Sequence, residues 1–206
     1  MKIGVIGANG KEGSLITAEA ARRGHEVTSI VRSADKSTTD AYLVRDVYDL
    51  TTDDLKDFDV VVDAIGFSGP KVKKFVPSTQ HLIDILTDTK VRLLVVGGAG
   101  SLYMDQKHDQ QLYQTADFPA AVKPLSQEMG NALDLLRKSS LNWTYISPAA
   151  NFNYQAKRTG QYVLAGEELT FDKDGQSEIS YADYAIAMVD EIEQAKHQHE
   201  RISVRW

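Results

Sequence analysis

The segment Gly7-Ala8-Asn9-Gly10-Lys11-Glu12-Gly13 constrains the fold more than any other part of this chain. It follows the β-branched run Ile3 to Ile6 and leads at once into a helical pattern, Ser14 to Arg23, which Gly24 ends. In such a strand-turn-helix unit the first glycine permits the sharp turn, the second lets the backbone approach a ligand, and the third lets helix and strand pack closely. The helix N-terminus then directs unpaired N–H groups and the positive end of its dipole at the space above the turn, which suits phosphate. A plain tight turn also uses glycine, but placement between the first strand and the first helix points to a dinucleotide cradle made by Gly7, Ala8, Asn9, Gly10, Lys11, Glu12 and Gly13. The nucleotide-binding loop of the P-loop type is excluded, because the hydroxyl residue that should follow Lys11 is missing.

Further short apolar runs recur between longer helical patterns. The strands read as Glu26 to Val31, Tyr42 to Val44, Val60 to Val62, Arg92 to Val96, Trp143 to Ile146 and Ile202 to Val204; the helices read as Val72 to Thr87, Leu125 to Lys138 and Tyr181 to Ala195. Most strands are nearly continuous in apolar residues, as expected where helices cover both faces of a parallel sheet. The β-α-β order predicts an α/β Rossmann-type, doubly wound parallel sheet. Between Gly160 and Ser180 the pattern breaks into Gln161 to Leu164 and Leu169 to Phe171 with turns at Gly166 and Gly175, which reads as a small C-terminal cap within a single domain spanning 1–206.

Composition removes several functions. With 206 residues, 42% hydrophobic and 25% charged, the chain can bury a sizeable core. A net charge of −6 argues against a nucleic-acid partner, which needs a basic stripe. The absence of cysteine excludes disulfides, thiolate nucleophiles and cysteine-ligated metal. No run approaches the length of a membrane span and no signal-peptide pattern precedes the first strand, so no membrane partner and a cytoplasmic location are expected. The pattern carries no mark of oligomeric state.

Where the second strand ends, a chain selective for NAD usually places a carboxylate for the ribose hydroxyls. Here Arg32 stands, a cation that can pair with the 2′-phosphate of NADP and stack on adenine, so NADP(H) is expected over NAD(H); the plainer reading is a solvated loop arginine. Asp46 and Val47 follow the third strand, where a carboxylate can accept from the adenine amino group and an apolar side chain can flank the ring; an exposed loop aspartate is as good a reading. Ala64, Ile65 and Gly66 end the fourth strand and leave room for a ribose at the crevice where strand order reverses.

These marks stand in order with Val95-Val96-Gly97-Gly98-Ala99-Gly100-Ser101, Trp143-Thr144-Tyr145-Ile146-Ser147-Pro148, Thr159-Gly160-Gln161-Tyr162 and Ile179-Ser180 before Asp183-Tyr184-Ala185. The ordered set resembles the atypical branch of the short-chain dehydrogenase/reductase superfamily. Within it, the chain is similar to the NADH-flavin reductases related to biliverdin reductase B and, more distantly, to NmrA-like regulators. The resemblance implies a nicotinamide site at the ends of the fifth and sixth strands, here Gly97, Gly98, Ala99 and Ser101, and Ser147, Pro148, Ala149 and Ala150.

Most short-chain dehydrogenases use Tyr-x-x-x-Lys, the phenol donating a proton to the nascent alkoxide. Tyr103-x-x-x-Lys107 has that spacing but comes directly after the fifth strand, whereas the family's tyrosine lies on the next helix, and Leu125 to Lys138 contains none. Carbonyl reduction benefits from a placed acid; reduction of a flavin, whose negative charge is delocalised, does not. The sequence therefore favours an NAD(P)H-dependent reductase acting on a planar acceptor, FMN or FAD first and a quinone second. Ser101 and Tyr103 are the candidate catalytic residues, and Tyr103, Phe152 and Tyr154 a candidate aromatic wall of the acceptor pocket; a turn cap and ordinary loop packing are the alternatives. The competing reading is a non-catalytic redox sensor that binds NADP(H). His197 and His199 lack companions for a metal site, and none is expected.

Overall fold

The computed structural model describes residues 1–33, 39 and 41–206. In chain order the elements are β1 (Lys2–Ile6), α1 (Lys11–Arg22), β2 (Glu26–Val31), β3 (Tyr42–Val44), α2 (Thr52–Leu55), β4 (Val60–Asp63), α3 (Phe75–Leu86), β5 (Arg92–Val96), α4 (Lys123–Lys138), β6 (Trp143–Pro148), β7 (Asn151–Asn153), β8 (Val163–Ala165), β9 (Glu178–Ser180), α5 (Tyr181–Gln194) and β10 (Glu200–Arg205). The central sheet has the order β3-β2-β1-β4-β5-β6-β10-β8. Its pairs are parallel except β8 against β10. Successive crossovers run outward from β1 in one direction and from β4 in the other. The strand order therefore reverses between β1 and β4, and a crevice opens at their carboxyl ends.

The apolar continuity of the strands has the expected cause. Ile3, Val5, Val60, Val62 and Leu94 face α1 and α5, in a core with Ile16, Ala20, Tyr184, Met188 and Ile192. Their neighbours Ile6, Val61, Leu93 and Val95 face the other layer, with Leu82, Leu86, Leu133, Leu136 and Trp143. Both faces of each central strand are covered, so period-two alternation disappears.

Three local expectations change. The pattern starting at Val72 divides into a 3-10 segment, Gly69–Lys74, and α3. Pro77 lies one turn into α3 and lacks the N–H that would bond back to Lys73, so the preceding turn tightens instead of joining the helix. The segment read as a small cap, 160–180, changes in its detail: β8 extends the edge of the main sheet, and β9 pairs with β7 in a small parallel sheet. Leu169 to Phe171 is no strand; Leu169 N–H donates to the Tyr103 carbonyl and Tyr103 N–H to that of Glu167. Among the described residues no helix is long and apolar enough to cross a membrane.

Candidate cofactor site

The glycine turn adopts the geometry its sequence requires. Gly7 has φ +79°, and a β-carbon there would lie 2.8 Å from the Ala64 carbonyl oxygen. At Gly13 a β-carbon would come within 2.3 Å of the Gly7 carbonyl oxygen, so any side chain would push α1 off β1. Gly10 caps α1 with no side-chain hydrogen bond, and its carbonyl accepts from Ser14 N–H at 3.0 Å. The N–H groups of Lys11, Glu12 and Gly13 precede the first intrahelical bond, so backbone donors and dipole converge above the turn with no side-chain oxygen competing for them. That arrangement suits the diphosphate of a dinucleotide.

A cleft of about 600 Å³ opens from this turn along the ends of β2, β3 and β4. It brings together the predicted Gly7, Asn9, Gly10, Arg32, Asp46, Val47, Ala64, Ile65 and Gly66. Asn9 Nδ2 donates to the Ser33 carbonyl at 3.0 Å, tying the turn to the loop that carries Arg32. Asp46 caps the short 3-10 segment Val47–Asp49 by accepting from Tyr48 N–H at 3.2 Å, which leaves carboxylate lone pairs toward the cleft rim. Arg45, Lys71 and Lys74 also line it and were missed from sequence, because their loops meet only in the fold. Tyr48 is held over this rim by donating to the Lys74 carbonyl at 3.2 Å.

Two buried acids flank the crevice. Asp63 ends β4, and burial pushes its carboxyl up to about 6, opposed by the Ile65 N–H it accepts at 3.0 Å. Glu12, 7% exposed, has neither carboxyl oxygen bonded, and burial holds it well above the usual carboxylate range. Glu12 belongs to the predicted turn, but a Lys-Glu pair in a first helical turn reads as solvated.

Other predicted residues lie elsewhere. Ser101 is 3% exposed; its hydroxyl and carbonyl each accept from Arg201 Nη1 at 2.9 Å. Arg201 also pairs with Glu167, which Arg137 meets at 2.7 Å. Ser101 is thereby bonded to β10 and does not line the cleft. Tyr103 stacks on His108 at 4.3 Å, and His108 pairs with Glu168 at 2.7 Å. The glycines at 97–100 serve close packing: a β-carbon at Gly97 would strike Tyr145, and one at Gly100 would strike Ser126. Gly98 N–H donates to the Tyr145 hydroxyl at 3.1 Å, and Gly98 carbonyl accepts from Ser147 at 2.9 Å, so the loop with Ala99 is fastened to β6. Ser147, Pro148 and Ala149 are buried, whereas Ala150 emerges at the start of the β7 segment.

Beyond Ala150 an aromatic ladder stands beside the glycine turn. Phe152 stacks on Tyr181 at 3.8 Å, and Tyr154 meets Tyr181 edge-on at 5.3 Å. Lys11 Nζ lies 4.6 Å from the centre of the Tyr154 ring, joining the ladder to the turn itself. Tyr181 was read only as the first residue of a helix, because nothing local to it shows that Phe152 and Tyr154 meet it there. The base of this segment is fixed by Asp183, whose carboxylate accepts from the N–H groups of Thr159 and Gly160 and from Trp206 Nε1. Those bonds hold its carboxyl below the usual range against the opposing effect of burial.

The uncapped glycine turn, its crevice and the cationic rim define a dinucleotide-binding protein of the Rossmann type. The chain belongs to the NAD(P)H-binding family, whose model matches residues 7–195. It is 47% identical over 208 residues to YwnB of Bacillus subtilis, an uncharacterized protein, covering 99% of this chain and 98% of that one. A Streptococcus pneumoniae protein described as a candidate NADH-flavin reductase has a crystal structure that superposes with a TM-score of 0.97 at 47% identity, covering 100% of this chain and 99% of that one. A candidate epimerase from Bacteroides thetaiotaomicron is 34% identical, with a TM-score of 0.89 over 100% of this chain and 96% of that one.

Proposed function

We propose that this chain is an NAD(P)H-dependent reductase of a planar acceptor, flavin before quinone, with NADPH the preferred donor. The observation that carries the reading is the aromatic ladder Phe152, Tyr181 and Tyr154 set against the phosphate turn through Lys11. A flat acceptor gains stacking energy on such a surface and is oriented by it. When bound, the nicotinamide supplies the hydride. The protein binds the dinucleotide, offers the stacking face and holds the crevice rigid.

Arg32 and Arg45, both on the rim where the second and third strands end, supply the cations a 2′-phosphate needs. The Tyr103 ring is stacked on His108 and Lys107 sits on an exposed turn closed by Asp105, which favours a reading without a dehydrogenase couple. Reduction of an acceptor that needs no dedicated acid fits this arrangement. The name of the Streptococcus pneumoniae relative points the same way.

The test is an acceptor screen with NADPH and NADH against FMN, FAD, riboflavin, quinones and small ketones. Turnover of flavins or quinones, faster with NADPH, is expected. Turnover of ketones alone would overturn the planar-acceptor reading. Tight binding of oxidised and reduced cofactor without turnover of any acceptor would establish a redox sensor in its place.

A further inference from the structure

Glu12 is the one group in the phosphate-binding turn whose chemistry the binding of a dinucleotide leaves unexplained. Its backbone N–H belongs to the anion site, yet its side chain turns into the protein, 7% exposed, with both carboxyl oxygens lacking any hydrogen-bond partner. A carboxylate in the first turn of a helix ordinarily gains from the dipole and stays in water. Here it has been taken out of water, and no cation replaces the lost solvation: among the described residues Glu12 makes no ion pair. The titratable groups facing it are Tyr181 and Tyr184 of α5, whose phenols are pushed up by burial first and by its charge second, with Tyr154 behind Tyr181. On its own helix, Lys11 is turned onto the Tyr154 ring, and Glu19, two turns on, is matched by Arg22, Arg23 and Arg158. Asp183, also on α5, is engaged by Thr159, Gly160, Ser180 and Trp206.

We propose that Glu12 is a charge-selecting residue of the turn: its buried carboxyl admits the anionic dinucleotide while it carries a proton, and an ionised Glu12 opposes binding. The inference rests on the dinucleotide-binding part of the reading above and is independent of the acceptor. The physical reason is local. Diphosphate and carboxylate would share one turn of α1 in a buried setting, where like charges are poorly screened by water or salt. A neutral acid costs the diphosphate nothing and leaves the N–H groups of the turn free for it. Burial already favours that neutral form, so affinity is lost as rising pH removes the proton. Asp63, the other raised acid at the crevice, donates no N–H to the phosphate turn and lies on the opposite face of the sheet, at the end of β4 beside Val95.

The experiment measures NADH binding by titration calorimetry from about pH 6 to about pH 9.5, in buffers of different ionisation enthalpy, for wild type, Glu12→Gln and Asp63→Asn. NADH is used because a 2′-phosphate would itself titrate near about pH 6. In wild type, proton uptake on binding is expected above the ionisation of Glu12, with the Kd weakening by up to about tenfold per pH unit there. Glu12→Gln should bind with no uptake and a flat profile, and Asp63→Asn should keep the wild-type profile. Absence of proton uptake in wild type across the range, or its persistence in Glu12→Gln, would overturn the proposal. Should Glu12→Gln not fold, the other two proteins decide: uptake retained in Asp63→Asn supports Glu12, and uptake abolished there transfers the role to Asp63. A chain that binds NADH with this profile yet reduces no acceptor would refute the reductase and leave Glu12's role standing.

Discussion

At the end of the crevice formed by β2, β3 and β4, the cations Arg32, Arg45, Lys71 and Lys74 surround an open cleft; beyond β5, Arg137 and Arg201 are consumed by Glu167 and the Ser101 loop. Arg32 makes no ion pair among the described residues, and Arg45 comes only to 3.9 Å of Asp54. Arg201, by contrast, is buried with four hydrogen bonds to Ser101 and Glu167. A charge left unmatched at a rim is available to a ligand, while a charge matched inside is part of the scaffold. The difference separates the two strand-end motifs by how their cations are matched. The Arg32 end lies open to a ligand, and the Ser101 end is bonded into the scaffold.

The largest effect should come from breaking the bonded end. Arg201→Leu removes the buried donor to the Ser101 carbonyl and hydroxyl and to the half-buried Glu167, and should cost about 3 kcal/mol in urea unfolding. A cost below about 1 kcal/mol would show that this end is not scaffold.

Between the two ends lies Asp63, whose folded carboxyl stands at about 6 against an ordinary 3.8. Because the fold favours the neutral form, its contribution is greatest below the ordinary value and is lost as pH rises through about 6. Asp63→Asn should therefore stabilise the protein by on the order of 2 kcal/mol at neutral pH, with the gain fading in acid. Thermal unfolding as a function of pH measures this; a gain that grows in acid would contradict it.

At the open end, Arg32→Glu should leave unfolding unchanged and weaken NADPH by about 30-fold, roughly 2 kcal/mol, with much less effect on NADH. Equal losses for both nucleotides would remove the preference for NADPH. The smallest effect is expected at the aromatic ladder. Tyr154 is 48% exposed, so Tyr154→Ala should raise the KM for flavin about fivefold, near 1 kcal/mol of stacking, without moving the Tm. A lowered Tm with unchanged KM would place the acceptor elsewhere.

The two ends were unequally legible. Strand continuity, the glycine turn and Arg32 are local signals, each decided by neighbours in sequence, and the open end was largely read from them. Its missing members, Arg45, Lys71 and Lys74, lie on loops whose meeting depends on the β1/β4 reversal. The bonded end joins Ser101 to Arg201 across a hundred positions, and no spacing rule reaches that far. A serine after a glycine-rich strand end has the same letters whether it faces a ligand or an arginine. Strands β7 and β9 were missed for a different reason: three residues each, they are too short for a period to register. Glu12 was named with the turn, but burial of its side chain is set by α5, which the local pattern does not contain.

The pairing of β7 with β9 gives the chain an evolutionary hinge point. Phe152 lies opposite Ile179 in that register, so the entrance and exit of the intervening stretch are stitched together next to the start of α5. The intervening stretch also carries β8 and Glu167, which belong to the frame, so substitutions and insertions are best borne by its exposed turn, residues 173–176. Variation can thus collect in one excursion of the backbone while the nucleotide half of the molecule is inherited unchanged.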